Sequence, residues 1–210
     1  MPDRARTELE AANLALALIK EPGIASFDEP ERAAARECRK WFGTVRDQVL
    51  RQRDWNFAST YVQPAADPAE SIGPLKKRFL LPEECLAVRE VHGAAASEWT
   101  LQREKLTVSG VEVERVALVT NLTAPLVRYT ARVLNVELWD AEFLIAFAAQ
   151  LGHRVGPLIG RSVTTVGKLM EEARALIDAA AGSDARENAP KQISREVPAI
   201  SARRRGRMFR

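Results

Sequence analysis

The 210-residue chain combines 46% hydrophobic with 28% charged residues, the balance of a globular protein with one good core, or a core and a smaller subdomain. No apolar run reaches the roughly 20 residues of a membrane span, and "MPDRARTELE" has no signal-peptide core, so a chain born in the cytosol is expected, with Cys38 and Cys85 reduced. The formal charge of +3 is uneven: residues 183–210 hold eight basic and three acidic side chains, so the net positive charge belongs to the C-terminal segment and the body is slightly acidic. That balance argues against a broad nucleic-acid platform on the body.

Thr7-Glu8-Leu9-Glu10 has the form of a capping box, with a hydroxyl at the N-cap and a Glu three residues on. Leu9, Ala12, Leu16 and Ile19 follow at helical spacing, and Pro22-Gly23 closes that helix. Asp28-Glu29-Pro30-Glu31 suits a second helix start, with proline in the first turn. The spacing predicts a long amphipathic helix over about 29–52. Its buried stripe is Ala34, Cys38, Trp41, Val45 and Val49, with Phe42 beside it. A buried Trp41 would cost roughly 3–5 kcal/mol to truncate.

After Trp55 the period changes. Pro64 and Pro68 mark a loop. Runs with strand character cover 78–81, 86–91, 99–103, 106–108 and 111–119, with Ser109-Gly110 as a tight hairpin turn. Residues 125–133 alternate, so Val127, Tyr129, Ala131 and Val133 should face a core and Arg128, Thr130 and Arg132 should face out. Helical signal returns at Asp140, a candidate N-cap, followed by Leu144, Phe147, Leu151, Val155 and Leu158. Ser162 can cap a last helix with Val166, Leu169, Met170, Ala173, Leu176, Ile177 and Ala180 on one face. The pattern stops at Gly182, and the polar, proline-broken remainder should be extended or disordered in the free monomer.

Candidate chemistry is sparse. His92 and His153 have no Cys, Asp, Glu or His at metal-ligand spacing. Gly160, Gly167 and Lys168 are wrongly spaced for a phosphate loop, and Leu169 stands where a Ser or Thr would hold magnesium. Gly152, Gly156 and Gly160, four apart, point to close helix packing or a fraying helix end. "NLT" at 121–123 is a glycosylation sequon without an export signal. Glu83-Glu84 and Glu171-Glu172 are not paired across a helix face, and no nucleophile sits in an elbow or triad. The expectation is a protein without catalysis, metal or cofactor.

The C-terminal "REVPAISARRRGRMFR" is harder to dismiss. Val197, Ile200, Met208 and Phe209 are apolar anchors interleaved with Arg203, Arg204, Arg205 and Arg207. Guanidinium forks bind carboxylates bidentately and apolar side chains fill grooves, so the segment suits a peptide that orders on a partner protein. It suits phosphate binding equally. Chemistry alone leaves both.

A resemblance narrows the choice. The stretch "EAANLALALIKEPGIASFDEPERAAARECRKWFGTVRDQVLRQRDWNFAS" resembles the N-terminal region of phage head–tail adaptors of the podophage tail tubular protein A type. Asn13, Leu16, Gly23, Ser26, Phe27, Asp28, Arg46, Asp47, Val49, Leu50, Arg51, Trp55, Asn56 and Phe57 stand at that family's positions. "RFLLPEECLAVREV" is similar to the family's strand, with Phe79, Leu81, Pro82, Cys85, Leu86 and Val88 in place and Glu84 for the usual Asp. "TNLTAPLVRYTARVLNVELWDAEFLIAFAAQLG" is similar to its returning hairpin and third helix, with Trp139 where Phe is frequent. The likeness covers about residues 8–182 and rests on packing motifs. "LTVSGVEVERVALVTN" is longer than the family's usual hairpin.

The expected fold is therefore mainly α: a four-helix bundle over 1–58 and 136–182, an antiparallel β subdomain inserted at 59–135, and an extended basic docking tail at 183–210. The resemblance implies a virion structural protein at the head–tail junction, a homo-oligomeric ring, twelvefold as in the family. It would sit between the portal protein and the tail nozzle protein, with DNA passing through its channel without sequence specificity. Val197, Ile200, Arg203, Arg204, Arg205, Arg207, Met208 and Phe209 would bind the portal. The alternative is a nucleic-acid-binding protein acting through the arginine tail, for which a basic helix or aromatic platform on the body would be the supporting feature.

Overall fold

The computed structural model describes residues 7–108, 110–162, 166–168, 171, 175 and 178. The chain begins with helix α1 (Glu8–Leu18). Its capping box forms as the sequence reads: the Glu10 N–H donates to Thr7 Oγ1 at 3.1 Å and the Thr7 N–H to Glu10 Oε2 at 3.0 Å. The helix stops before Pro22. Lys20 takes a left-handed φ of 58°, and the Lys20 and Glu21 N–H groups donate back to Ala17 and Leu16 carbonyls, the Schellman pattern with lysine in the usual glycine place.

Helix α2 (Ala33–Gln52) starts later than the acidic cluster suggests. Glu29 is committed to the preceding turn, where its Oε1 accepts from the Ala25 and Ser26 N–H groups at 2.6 and 2.7 Å. Ala34, Cys38, Val45 and Val49 are buried together with Phe42. Trp41 is a correction. It lies one position round the helix and is half-buried at the core margin. Its Nε1 donates to Glu37 at 3.2 Å, and the Arg154 guanidinium sits 4.9 Å from its ring centroid. Trp41→Ala should therefore cost about 1 kcal/mol, the scale of an exposed cation–π contact with partial burial, and denaturant melts will check it.

Among the described residues seven strands follow: β1 (Ser59–Val62), β2 (Ala65–Glu70), β3 (Lys77–Leu80), β4 (Cys85–His92), β5 (Trp99–Val108), β6 (Val111–Thr120) and β7 (Leu126–Ala131). They form two antiparallel sheets, one ordered β1-β7-β4 and one ordered β2-β3-β6-β5. The β5–β6 hairpin pairs without a break from Trp99↔Thr120 to Val108↔Val111. Gly110 sits at a φ of 81°, which a side chain would strain; Ser109 lies outside the described residues. On β7, Val127 and Tyr129 are buried as expected, but Thr130 is fully buried too, where its hydroxyl accepts from Arg89 Nε at 2.7 Å.

Helix α3 (Ala141–Val155) returns to the helical layer, with Asp140 at its N-cap position. It packs against both α1 and α2. Gly152 is what lets α1 approach, since a Cβ there would lie 2.9 Å from the Ala15 carbonyl oxygen. Leu158, placed by the sequence on the buried stripe, is 53% exposed because the helix gives way to a 3-10 turn at Gly156–Ile159. Val166 is helical and buried, and residues 168, 171, 175 and 178 are helical as well; the other apolar positions expected on that last helix lie outside the described residues.

The expectation of a mainly α four-helix bundle is overturned. The chain is 41% helical and 29% strand, with the strands in two antiparallel sheets, so the fold is mixed α and β. The reason is local. Pro64 lies in the short connection between β1 and β2, but Pro68 is inside strand β2 and not in a loop, and the two runs at 99–103 and 106–108 are one ten-residue strand. Helices and sheets meet at Arg89 on β4, whose Nη2 caps the C-terminal end of α2 by donating to the carbonyls of Leu50, Arg51 and Arg53.

Candidate interaction surfaces

The tail residues Val197, Ile200, Arg203, Arg204, Arg205, Arg207, Met208 and Phe209 lie outside the described residues. The positions that carry the family likeness are inside them, and several are brought together. Asn13 Nδ2 donates to the Ile24 carbonyl at 2.9 Å, and the Ile24 N–H donates to Asn13 Oδ1 at 2.7 Å. Gly23 lies directly against that amide, where a Cβ would meet Asn13 Oδ1 at 3.1 Å. Ser26 Oγ then accepts from the Asp28 N–H at 3.0 Å. One asparagine thus holds the α1–α2 connection by mimicking a backbone pairing. Trp55 is buried and its Nε1 donates to the Val49 carbonyl at 3.0 Å, with the rings of Trp55 and Phe57 both edge-on to Phe143. These are packing roles.

The basic side chains around the start of α2 are interleaved with acids. Residues 28–40 hold Arg32, Arg36, Arg39 and Lys40 but also Asp28, Glu29, Glu31 and Glu37, so their charges cancel. Arg39 is paired with Asp28, and Arg36 donates to the Pro30 carbonyl at 2.5 Å. The aromatic-basic hollow around Phe27 and Pro30 is lined by Arg36, Arg39 and Lys40 against Asp28.

A second hollow lies against the sheets. A groove of about 550 Å³ runs along the first half of β4, between that strand and the base of the β5–β6 hairpin. Leu86, Val88, Leu101 and Val116 give it apolar walls. Three guanidiniums, Arg51, Arg115 and Arg132, stand around it against one carboxylate, Glu83. Arg115 is bridged to Glu83 and Arg132 to Asp47. Arg51, exposed at the end of α2, has no such partner among the described residues. Since β4 is an edge strand of its sheet, the groove borders backbone with a sheet neighbour on one side only. The sequence hides this surface, because its lining comes from five separated segments; only the alternation of aliphatic and charged residues in the hairpin hints at an uncovered sheet face.

Neither thiol is set up for chemistry. Burial pushes Cys38 up to about 11, with the nearby Glu37 charge adding to it. Cys85, in the groove, is pushed up to about 11 by burial and Glu84, against a smaller opposing effect of Arg51. Both stay protonated at neutral pH and are weak nucleophiles. Tyr129 donates to Glu84 Oε1 at 3.1 Å and is pushed up to about 12 by burial and that bond. His92 lies beside Tyr61, ring centroids 5.6 Å apart, and the described residues contain no group of three His, Cys, Asp or Glu able to hold a metal ion. No described helix is long and apolar enough to cross a membrane. No family model matches the sequence, and no curated protein matches it either.

Proposed function

We propose that the chain is a non-enzymatic head–tail adaptor, assembling as a ring between a portal and a tail nozzle, with its arginine-rich C-terminal segment as the docking arm. The observation that carries this reading is the Asn13–Gly23–Ile24 clamp. Four of the positions on which the family likeness rests, Asn13, Gly23, Ser26 and Asp28, meet in one connection between the first two helices. The interruption of the helical layer by a β unit between α2 and α3 follows the same layout. The groove and the sheet faces offer surface for partners, as a structural ring component requires.

A pull-down on portal rings tests the arm. Full-length protein is expected to bind, and a chain lacking residues 195–210 is expected to stay folded and lose binding. Phe209→Ala should weaken it too, since an aromatic anchor contributes through burial. A parallel DNA titration separates the alternative. If the arginines serve duplex binding, affinity falls with log salt by about 0.9 per phosphate neutralised and the Phe209 change matters little. Portal binding that survives truncation while DNA binding disappears would reject the docking arm.

A further inference from the structure

The C-terminal part of the chain leaves the described body beside the groove. Asp178, the last described residue, is paired with Arg53. Arg53 lies two residues beyond Arg51, at most about 7 Å of backbone, and Arg51 lines the groove. Arg51 is also the one guanidinium there without an ion-pair partner among the described residues, since Arg115 and Arg132 are bridged to Glu83 and Asp47. Beyond Asp178 the sequence runs on for 32 residues. Residues 183–200 hold three acids (Asp184, Glu187, Glu196) and three bases (Arg186, Lys191, Arg195), so they carry no net charge, whereas five arginines crowd the end after Ala202. The large aliphatic side chains of the neutral stretch are Ile193, Val197 and Ile200.

We propose that residues 193–200 seat in the groove of their own chain, with Ile193 and Val197 on the aliphatic walls of Leu86, Val88, Leu101 and Val116, and Glu196 at Arg51. The tether is long enough. The residues from Asp178 to Ile193 span up to about 50 Å when extended, and the chain leaves the body next to the groove rim. A flexible tether of that kind sets an effective concentration of about millimolar, so a weak contact forms within one chain before it forms between two. The groove borders the free edge of β4. Val197 precedes Pro198, a position that favours extended backbone, the form that lies along a strand edge. The arginine run stays outside, because it would meet Arg51, Arg115 and Arg132 with like charge. Covered in this way, β4 is shielded from pairing with other chains. Val197 and Ile200 are also assigned to the portal above, so docking there must empty the groove. That exchange rests on the adaptor reading; the contact within the chain does not.

Amide hydrogen exchange on the full-length chain, read by mass spectrometry, tests it. In wild type, peptides from 193–200 and from the first half of β4 should both be protected. Ile193→Ser with Val197→Ser should speed exchange in both by at least about tenfold. Arg51→Glu should do the same, and adding Glu196→Arg to it should restore protection, because the pair is then reversed. Both Arg51 variants carry the same change in α2, so the recovery cannot come from the helix. Arg51 is exposed, and unchanged melting should show the variants folded. Protection should not depend on protein concentration. A segment that exchanges at the unprotected rate in wild type, serine substitutions that leave β4 unchanged, or a reversed pair that restores nothing would overturn the proposal. Protection that grows with concentration would overturn it in favour of a second copy's segment. Portal rings give a separate readout and should release both peptides. Portal binding that leaves both peptides protected rejects the exchange and leaves the contact standing. An unprotected segment in a chain that still binds portal rings rejects the contact and leaves the adaptor reading standing.

Discussion

Trp139→Ala should lower the unfolding free energy by about 3–5 kcal/mol, the usual loss for a large buried aromatic. Trp139 is 2% exposed at the meeting point of the helical layer. Its ring lies 4.9 Å from Phe143 and 5.0 Å from Phe147, both edge-on, and 6.2 Å from Phe42 in a stacked arrangement. Those three side chains come from α2 and α3, so the indole joins the two helices as well as filling space. Its Nε1 also donates to the Val133 carbonyl at 3.2 Å, tying the end of the β unit to the start of α3. Trp139→Phe separates the two contributions. It keeps most of the ring contacts and removes the donor, and should cost about 1–3 kcal/mol. Denaturant midpoints at constant slope measure both. A loss below about 0.5 kcal/mol for the alanine variant would place the indole outside the core.

What could be read in advance follows the range over which each feature is encoded. The Thr7–Glu10 box is a four-residue device, and its two hydrogen bonds form as the letters suggest. The hairpin turn at Gly110 is equally local. Helix phase was legible to within one position, and that position mattered: Trp41 and Phe42 are adjacent, either could head the stripe, and only the placement of α3 decides that Phe42 stacks inward while Trp41 lies beside Arg154. Strand β2 was illegible because it is not held by apolar burial. Its sequence, Ala-Ala-Asp-Pro-Ala-Glu, has no hydrophobic alternation and is almost wholly exposed. Pro68 is tolerated since the pairing is irregular between Asp67 and Glu70, where a missing N–H is not needed. The groove was illegible for a related reason, as Arg51, Cys85, Leu101 and Arg132 converge only after both sheets have formed.

Arg78→Met should cost about 3–5 kcal/mol, the loss that follows when one partner is removed from a buried ion pair, and this result bears directly on how β2 is held. Arg78 on β3 pairs in register with Asp67 on β2. Its Nη2 donates to Asp67 Oδ1 at 2.5 Å and its Nη1 to Glu104 Oε2 on β5 at 3.3 Å. Asp67 also accepts from the Thr107 N–H at 2.7 Å and the Ala69 N–H at 2.9 Å, and Ser71 Oγ donates to Glu104 at 2.7 Å. The two outer strands of the four-stranded sheet are therefore drawn together across a single guanidinium, beside the small cluster of Leu106, Ala117 and Val119. Without the cation, Asp67 and Glu104 are left as neighbouring charges with little water. Adding Asp67→Asn and Glu104→Gln to Arg78→Met should recover much of the loss, because the cost is mainly that of the stranded carboxylates. The same cluster sets an acid limit. Burial would raise the Asp67 carboxyl, but the Thr107 N–H, the Arg78 guanidinium and the Ala69 N–H outweigh it and hold it below its usual value. A depressed carboxyl stabilises the fold fully above its unfolded value of about 3.9, and the contribution disappears as pH falls through the folded value. Thermal melts from neutral to strongly acidic pH should therefore show a steeper loss for wild type than for the triple variant. Parallel acid profiles for the two chains, or an Arg78→Met chain as stable as wild type, would show that β2 is held by something other than this charge.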